Sequence, residues 1–261
     1  MSELSAPSPR PENTLKQLEE AGALSHFASS IAHEVCNPLS QIVLATDLLA
    51  GPRPLNDDLR KKITSFLRQG ADRIDKAMKQ MLRACAPIET SMTSENVNAL
   101  LDDALAASGA AAAASIHVEK HYGGSLPPVL VDRQHVTEAI THVISNAIDA
   151  MMPTGGTLTL KTELKVFESS EREGWQRQSW FRAGDRAVVI EMTDTGHGIE
   201  AAKMPLIFEP FYTTKPAGKG SGLGLTVAKK IVDLHYGRLE INNRREGGVR
   251  ATLTLKTASH I

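Results

Sequence analysis

Residues 208–225 read Phe-Glu-Pro-Phe-Tyr-Thr-Thr-Lys-Pro-Ala-Gly-Lys-Gly-Ser-Gly-Leu-Gly-Leu, and this stretch decides how the second half of the chain is interpreted. Glycines at 218, 220, 222 and 224 lead into a helical pattern over Leu223–Tyr236. The open N–H groups of such a loop, with the N-terminus of the following helix, suit a polyphosphate. Lys215 and Lys219 can add positive charge. The spacing is not that of a Walker loop, and a glycine-rich loop alone is weak support for a nucleotide site.

Two polar segments upstream strengthen that interpretation. Val143-Ile-Ser-Asn-Ala-Ile-Asp-Ala-Met151 lies in a helical pattern with Asn146 on its polar side, where the side-chain carbonyl can bind Mg²⁺. Asp194-Thr-Gly-His-Gly-Ile199 follows an apolar strand pattern. An acid at a strand end can accept the exocyclic amine of adenine, and two glycines let the backbone approach the base. A surface asparagine or an ordinary glycine turn would look similar, so each segment alone is moderate support.

The surrounding patterns predict a sheet covered by helices. Helical periodicity covers Asn96–Ala114, Arg133–Met151 and Leu223–Tyr236, whereas strand patterns cover Ile116–His121, Thr157–Val166, Ala187–Thr193, Arg238–Asn242 and Val249–Leu255. We expect an α/β sandwich with helices on one face of a mixed sheet. Residues 168–185 are polar and predict a long loop or a hairpin extension. Trp175 and Trp180 in this segment pack locally or meet a partner, and local packing is favoured.

The first third of the chain predicts two helices instead. Apolar residues alternate at spacings of four and three from Leu24 to Leu49, and again from Ile63 to Ala84, while Gly51–Pro54 separates the two runs. An antiparallel hairpin with one half-covered seam is best buried against a second copy, as a dimeric four-helix bundle. The fold class is therefore α+β. The predicted divisions are a disordered lead-in at 1–14, the helical hairpin at 15–88 and the second domain at 89–261, with a hinge near Ala86–Ser94.

His33 lies on the outer face of the first predicted helix. With Ile31 at heptad position d and Val35 at a, His33 falls at f and Asn37 at c, one turn further on the same side. A solvated histidine without a role is common at f. However, Glu34 can accept a proton from Nδ1 and leave Nε2 as a neutral nucleophile. Pro38 removes a helix hydrogen bond and favours a bend beside His33.

At this point the chain resembles a known family. Phe27-Ala-Ser-Ser-Ile-Ala-His-Glu-Val-Cys-Asn-Pro-Leu39 resembles the H-box of two-component sensor histidine kinases. The resemblance implies that His33 is autophosphorylated, that Glu34 acts as the base, and that Asn37 positions water for dephosphorylating the partner. It also implies a response-regulator receiver domain as partner, a homodimer, and an upstream sensor domain or protein outside this chain, since only about 14 residues precede the first predicted helix.

The other four blocks resemble, in order and spacing, the N, G1, F and G2 boxes of the Bergerat ATP-binding fold of histidine kinases, Hsp90-type chaperones, MutL-type repair ATPases and gyrases. The resemblance implies ATP and Mg²⁺ as cofactors, with Asn146 on the metal and Asp194 on adenine. It assigns the remaining nucleotide contacts to Asp149, Gly196, Gly198, Lys215, Gly220, Ser221, Gly222, Leu223 and Gly224. The ATPases of this superfamily carry a water-activating glutamate four residues before Asn146. Here that residue is His142, which also departs from the asparagine of many histidine kinases.

Net charge, apolar runs and cysteine spacing limit the partners and the cellular location that we expect. A net charge of −1 argues against nucleic acid as a partner. No apolar run approaches the ~20 residues of a membrane span, and no signal core is present, so we expect a cytoplasmic protein. Cys36 and Cys85 match no metal-ligand spacing. Two alternatives to a kinase stay open, namely a non-catalytic dimeric scaffold of the same fold and a unit acting mainly as a response-regulator phosphatase.

Overall fold

The computed structural model describes residues 35–51, 56–85, 89–109, 115–169, 171–172, 180–215, 220 and 222–258. These residues form two compact units. The first draws its described residues from Met1–Cys85 and Glu209–Gly222, and the second from Ala86–Phe208 and Leu223–Ile261. The predictions for residues 1–34, including those for His33 and Glu34, lie outside the described residues. None of the described helices has the length and apolar character needed to cross a membrane.

The first unit contains a helix over residues 35–50 (α1) and a helix Asp57–Cys85 (α2). Asn56 caps α2, because its Oδ1 accepts the Leu59 N–H at 2.8 Å. A Cβ on Gly70 would lie 2.9 Å from Cγ1 of Ile42, so α2 approaches α1 closely at this glycine. Nearer the connection between the helices, Ala45 and Ile63 are buried and help line a shallow apolar hollow. These contacts make the two helices antiparallel.

The second unit is built on a five-stranded sheet of order β2-β4-β7-β9-β8. Its strands are Ile116–His121 (β2), Gly156–Val166 (β4), Arg186–Thr193 (β7), Arg238–Asn243 (β8) and Val249–Lys256 (β9). The pair β2–β4 is parallel and the other three pairs are antiparallel. Thr93–Glu95 (β1) and Val129–Val131 (β3) form a separate antiparallel pair. The α+β class with a mixed sheet is therefore confirmed.

Three helices cover one face of this sheet and share its apolar core. They are Val97–Ala107 (α3), Arg133–Met151 (α4) and Gly224–Leu234 (α5). The core takes alternate residues of the strands, such as Leu158, Ile190 and Leu253, because successive side chains of a strand point to opposite faces. The other face carries exposed polar side chains, including Lys161 and Glu163 of β4.

Two details differ from the sequence prediction, and a third agrees with it. The helix predicted over Asn96–Ala114 ends at Ala107, because Gly109 takes a positive φ of 76° that an α-helix cannot continue. The three-residue strands β1 and β3 were not predicted, since so short a run shows no alternation. Residues 168–185 include the hairpin Glu171–Arg172 (β5) and Trp180–Phe181 (β6), which agrees with the hairpin alternative. Trp175 and the side chain of Trp180 lie outside the described residues.

Candidate functional site

Asp194 lies immediately after the central strand β7 and is 3% exposed. Its backbone N–H donates to the Val249 carbonyl at 2.9 Å and so extends the β7–β9 ladder by one rung. Its carboxylate Oδ1 accepts the N–H of Gly196 at 2.8 Å and the N–H of Val249 at 3.1 Å. Oδ2 receives no hydrogen bond from the part of the chain that the structure describes. The carboxylate is thus held rigidly through one oxygen and offers the other as an acceptor.

Burial governs the electrostatics of this carboxylate. It raises the pKa of Asp194 above the ordinary value of 3.8, although the N–H groups of Gly196 and Val249 and the positive charge of Arg244 act in the opposite direction. A carboxylate that loses hydration costs free energy unless it is fully hydrogen-bonded. Buried acids with few hydrogen bonds are typical of functional sites. They lower the stability of the fold, but their remaining oxygen can contact a ligand.

The turn between β8 and β9 supports Asp194 and was missed by sequence reasoning. Gly248 has a φ of 80°, and a Cβ there would overlap the Asp194 carbonyl oxygen. Arg244 donates from Nη1 to that same carbonyl oxygen at 2.9 Å. The glycine pair Gly247–Gly248 between two predicted strands indicates a tight hairpin. The hairpin lies beside Asp194 because β9 pairs with β7, and that pairing could not be read from the local sequence.

The loop Asp194–Ile199 packs against the last turns of α4. A Cβ on Gly196 would lie 2.7 Å from the carbonyl oxygen of Ala150, and the N–H of His197 donates to the same oxygen at 3.3 Å. Asn146 is half-buried one turn before Ala150, and Asp149 is exposed. The structure therefore brings the helix that carries the predicted metal residue to the loop that carries the predicted adenine residue.

Asn243 fixes the far end of this loop. Its side chain accepts the Ile199 N–H at 2.8 Å and donates Nδ2–H to the Ile199 carbonyl at 2.6 Å. Gly198, just before, has a φ of 73°, which a residue with a side chain rarely adopts. The sequence gives no local signal for Asn243, because it lies 44 positions from its partner.

The described part of the glycine-rich segment is held by close contacts at glycines. Phe211 is buried with a φ of 64°, and a Cβ on Gly222 would overlap its backbone. A Cβ on Gly220 would lie 2.8 Å from Cδ of Lys215 and 2.9 Å from the Thr213 hydroxyl oxygen. The structure therefore brings Lys215 to Gly220. Gly218, Lys219 and Ser221 lie outside the described residues.

His142 of α4 faces the first residue of α5. A Cβ on Gly224 would lie 3.3 Å from the His142 Nδ1, and Leu223 at the N-cap supplies no side-chain hydrogen bond to the helix N-terminus. On its other side, His142 Nε2 lies 3.8 Å from a carboxylate oxygen of Glu138. An imidazole therefore stands between an acid of α4 and the N–H groups that begin α5.

In the first unit, Asn37 is exposed on α1 and the neighbouring Pro38 is buried. This agrees with the heptad placement of Asn37 on the outer face. His33 and Glu34 precede the described residues.

The comparisons with known proteins cover most of the chain. Residues 131–259 match the family described as histidine kinase-, DNA gyrase B-, and HSP90-like ATPase. Over 245 residues the chain is 28% identical to the sensor histidine kinase ZraS of Escherichia coli O157:H7, covering 94% of this chain and 48% of ZraS. Over 227 residues it is 31% identical to the sensory histidine kinase/phosphatase NtrB of Rhizobium meliloti (strain 1021), covering 86% of this chain and 56% of NtrB. The chain thus spans about half the length of these curated relatives.

The fold is also found in solved structures. The crystal structure of histidine kinase ThkA in complex with response regulator protein TrrA matches with a TM-score of 0.64 and 21% identity, covering 95% of this chain and 66% of that one.

Proposed function

We propose that the chain transfers the γ-phosphoryl group of ATP to His33 and then to an aspartate of a response-regulator receiver domain. The premise is that residues 131–259 match the histidine kinase-, DNA gyrase B-, and HSP90-like ATPase family and that most of the chain is similar to sensor histidine kinases. The observation that carries the proposal is the buried carboxylate of Asp194, held through Oδ1 with Oδ2 available as an acceptor. Such an acceptor suits the exocyclic amine of adenine.

The residues present fit a magnesium nucleotide. Asn146 is half-buried on α4 and offers a side-chain carbonyl of the kind that Mg²⁺ prefers. When bound, Mg²⁺ would neutralise negative charge on the phosphate oxygens. Asp149, Gly196 and Gly198 would line the adenine end of the site. The polyphosphate end would be formed by Lys215, Gly220, Ser221, Gly222, Leu223 and Gly224.

The chemistry requires a neutral imidazole on the phosphoacceptor helix. Glu34 would accept a hydrogen bond from Nδ1–H of His33 and leave the Nε2 lone pair to attack the γ-phosphorus. A nitrogen–phosphorus bond forms, the bond to the β-phosphate oxygen breaks, and ADP leaves with that electron pair. An aspartate oxygen of the receiver then attacks the same phosphorus and releases the imidazole.

Dimerisation would complete the first unit. Exposed apolar side chains lie along both described helices; they include Leu39, Val43, Leu44, Leu48, Leu59 and Phe66. Contiguous exposed apolar surface of this kind marks a protein–protein interface. This supports a four-helix homodimer of the helical hairpin that we assign to residues 15–88. We place the protein in the cytoplasm, where ATP and receiver domains are available.

Incubation with γ-³²P-labelled ATP and Mg²⁺ tests the kinase proposal. The wild-type chain should acquire acid-labile, base-stable phosphate, and His33→Gln should acquire none, because its amide nitrogen is not a nucleophile. Labelled chain mixed with a receiver protein should pass the label on. Phosphate on His33→Gln at the wild-type rate would contradict the proposal, and no labelling of either chain would favour the non-catalytic scaffold.

Asn37 supports receiver dephosphorylation as a second activity. It is exposed on α1 and follows His33 by four positions in the sequence, so its amide could position water. Asn37→Ala should slow dephosphorylation of a phosphorylated receiver and leave autophosphorylation unchanged. An unchanged dephosphorylation rate would remove this second activity.

A further inference from the structure

His235, directly after α5, is a buried histidine that the phosphotransfer chemistry does not use. It is 2% exposed. Its Nδ1 lies 2.7 Å from the Ile231 carbonyl oxygen, and its Nε2 lies 3.0 Å from the backbone nitrogen of Asp132. A carbonyl oxygen can only accept and a backbone N–H can only donate. Nδ1 therefore carries the proton and Nε2 is the acceptor, so these two partners specify the neutral ring in one tautomer.

Asp132 joins this histidine to two other parts of the second unit. Its Oδ1 accepts the His135 N–H at 3.0 Å and caps α4, and its Oδ2 accepts the Ser91 N–H at 2.8 Å. Ser91 follows Cys85, the last residue of α2, by only six positions. The end of α5, the start of α4 and the segment that enters the second unit therefore meet at one pair of buried side chains.

The two helices joined here are the ones that carry the proposed nucleotide contacts. Asp132 and His235 meet where α4 begins and α5 ends, whereas His142 and Gly224 meet further along α4, at the start of α5. The helices thus run antiparallel with a fixed offset. An eleven-residue α5 is a rod of about 16 Å. A shift at its His235 end therefore moves Gly224, where the polyphosphate would bind.

We infer that His235 is a positioning residue for the nucleotide site: in its neutral form it clamps the end of α5 to the start of α4, and protonation of its ring releases the clamp and weakens ATP binding. The inference rests on the proposed function. A proton on Nε2 would turn the acceptor into a donor aimed at the Asp132 N–H. Two donors cannot hydrogen-bond to each other, so the contact must open.

The electrostatic surroundings agree with a neutral ring. Burial lowers the pKa of His235, while the Ile231 carbonyl and the negative charge of Asp132 raise it, and the positive form of His135 lowers it further. Asp132 and His135 are the titratable groups that face the ring from α4. On α5 itself the charges of Lys229 and Asp233 pair with each other at 2.9 Å.

Calorimetric titration of ATP with Mg²⁺, at about pH 7.5 and about pH 5.5, tests the inference on three variants of the full chain. His235→Gln keeps an acceptor oxygen in reach of Asp132 but cannot gain a proton in this range. His235→Leu removes the acceptor at every pH, and His135→Gln is the matched control for the neighbouring histidine. Between about pH 7.5 and about pH 5.5 the wild type should lose more affinity for ATP than His235→Gln, whose own loss measures the titration of ATP itself. His235→Leu should bind weakly at both pH values, and His135→Gln should follow the wild type.

Two readouts separate this inference from the proposed function. If the wild type does not bind ATP at about pH 7.5, the proposed function fails. If the wild type and His235→Gln bind ATP with the same pH profile, the inference fails and the proposed function stands. Long-range ¹H–¹⁵N correlation spectra, assigned by the signal lost in His235→Gln, report the ring directly without nucleotide. A ring protonated on Nε2 at about pH 7.5 would overturn the inference, and one protonated only on Nδ1 supports it.

Discussion

Replacing Asp194 by asparagine separates the two tasks of this side chain. An amide oxygen can accept the Gly196 and Val249 N–H groups as Oδ1 does now, at 2.8 and 3.1 Å. The amide NH₂ then occupies the position of Oδ2 and donates where the amine of adenine needs an acceptor. We therefore expect Asp194→Asn to keep the loop folded and to bind ATP poorly.

The magnitude of the binding loss follows from the hydrogen bond that disappears. A hydrogen bond to a charged group contributes about 1.5–3 kcal/mol, which corresponds to about 10- to 150-fold in Kd. Because two donors then face each other in a buried site, we expect the upper half of that range. GTP presents a carbonyl oxygen at the equivalent position, so the preference of the wild type for ATP over GTP should narrow in the variant.

Stability should change in the other direction. The pKa of Asp194 is raised by burial, so the folded state holds its proton to higher pH than the unfolded state, whose value is about 3.8. Ionisation then favours unfolding, and the destabilisation appears as the pH rises above that unfolded value. Asparagine cannot ionise. The variant's unfolding temperature at about pH 7.5 should therefore equal or exceed that of the wild type, and any advantage should vanish under strongly acidic conditions.

Calorimetric titration with ATP and GTP, together with thermal unfolding followed by circular dichroism, measures both effects. Glu200→Gln is the matched control, because Glu200 belongs to an exposed ion pair with Lys203 beyond the same loop. That variant should bind ATP like the wild type. Unchanged ATP affinity in Asp194→Asn would refute the adenine contact. A large fall in unfolding temperature would show that the carboxylate is retained for stability instead.

Three further predictions concern single contacts. Gly248→Ala should lower the free energy of unfolding by at least about 2 kcal/mol and weaken ATP binding, because its Cβ would overlap the Asp194 carbonyl. Gly247→Ala is the control, because Gly247 also has a positive φ but a Cβ there would meet no neighbour. In denaturant titrations of both variants it should lower the free energy of unfolding by less. Tyr236→Gly should stabilise by up to about 1 kcal/mol, since exposed Tyr236 has a φ of 55°; an unchanged midpoint would contradict this. His142→Glu should release inorganic phosphate from ATP about tenfold faster than His142→Gln or the wild type, and equal rates would dismiss position 142 as a site for a hydrolytic base.

The parts of the fold that follow from local pattern were predictable, and those that depend on strand order were not. The predicted strands over Ile116–His121 and Val249–Leu255 agree with the structure to within one residue at each end. Asp194 was predicted as an acid at a strand end, because the apolar strand pattern that directly precedes it is sufficient for that prediction. Arg244 and Gly248 contribute to the same site only because β9, and not β8, pairs with β7. Pairing between distant strands leaves no signal in a short window of sequence.

His142 shows how the structure extends an argument from sequence. The absence of glutamate at this position argued for a site without a base to activate water, and therefore for a side chain as the acceptor of phosphate. The position of the His142 ring relative to the loops depends on the fold. The structure places the ring beside Gly224, where α5 begins, and within 3.8 Å of Glu138. An acid is thus near the N-terminus of α5, which we propose contacts the phosphates, but a histidine stands between the two. If His142→Glu hydrolyses ATP and His142→Gln does not, the lack of a carboxylate at position 142 is what keeps this site from activating water.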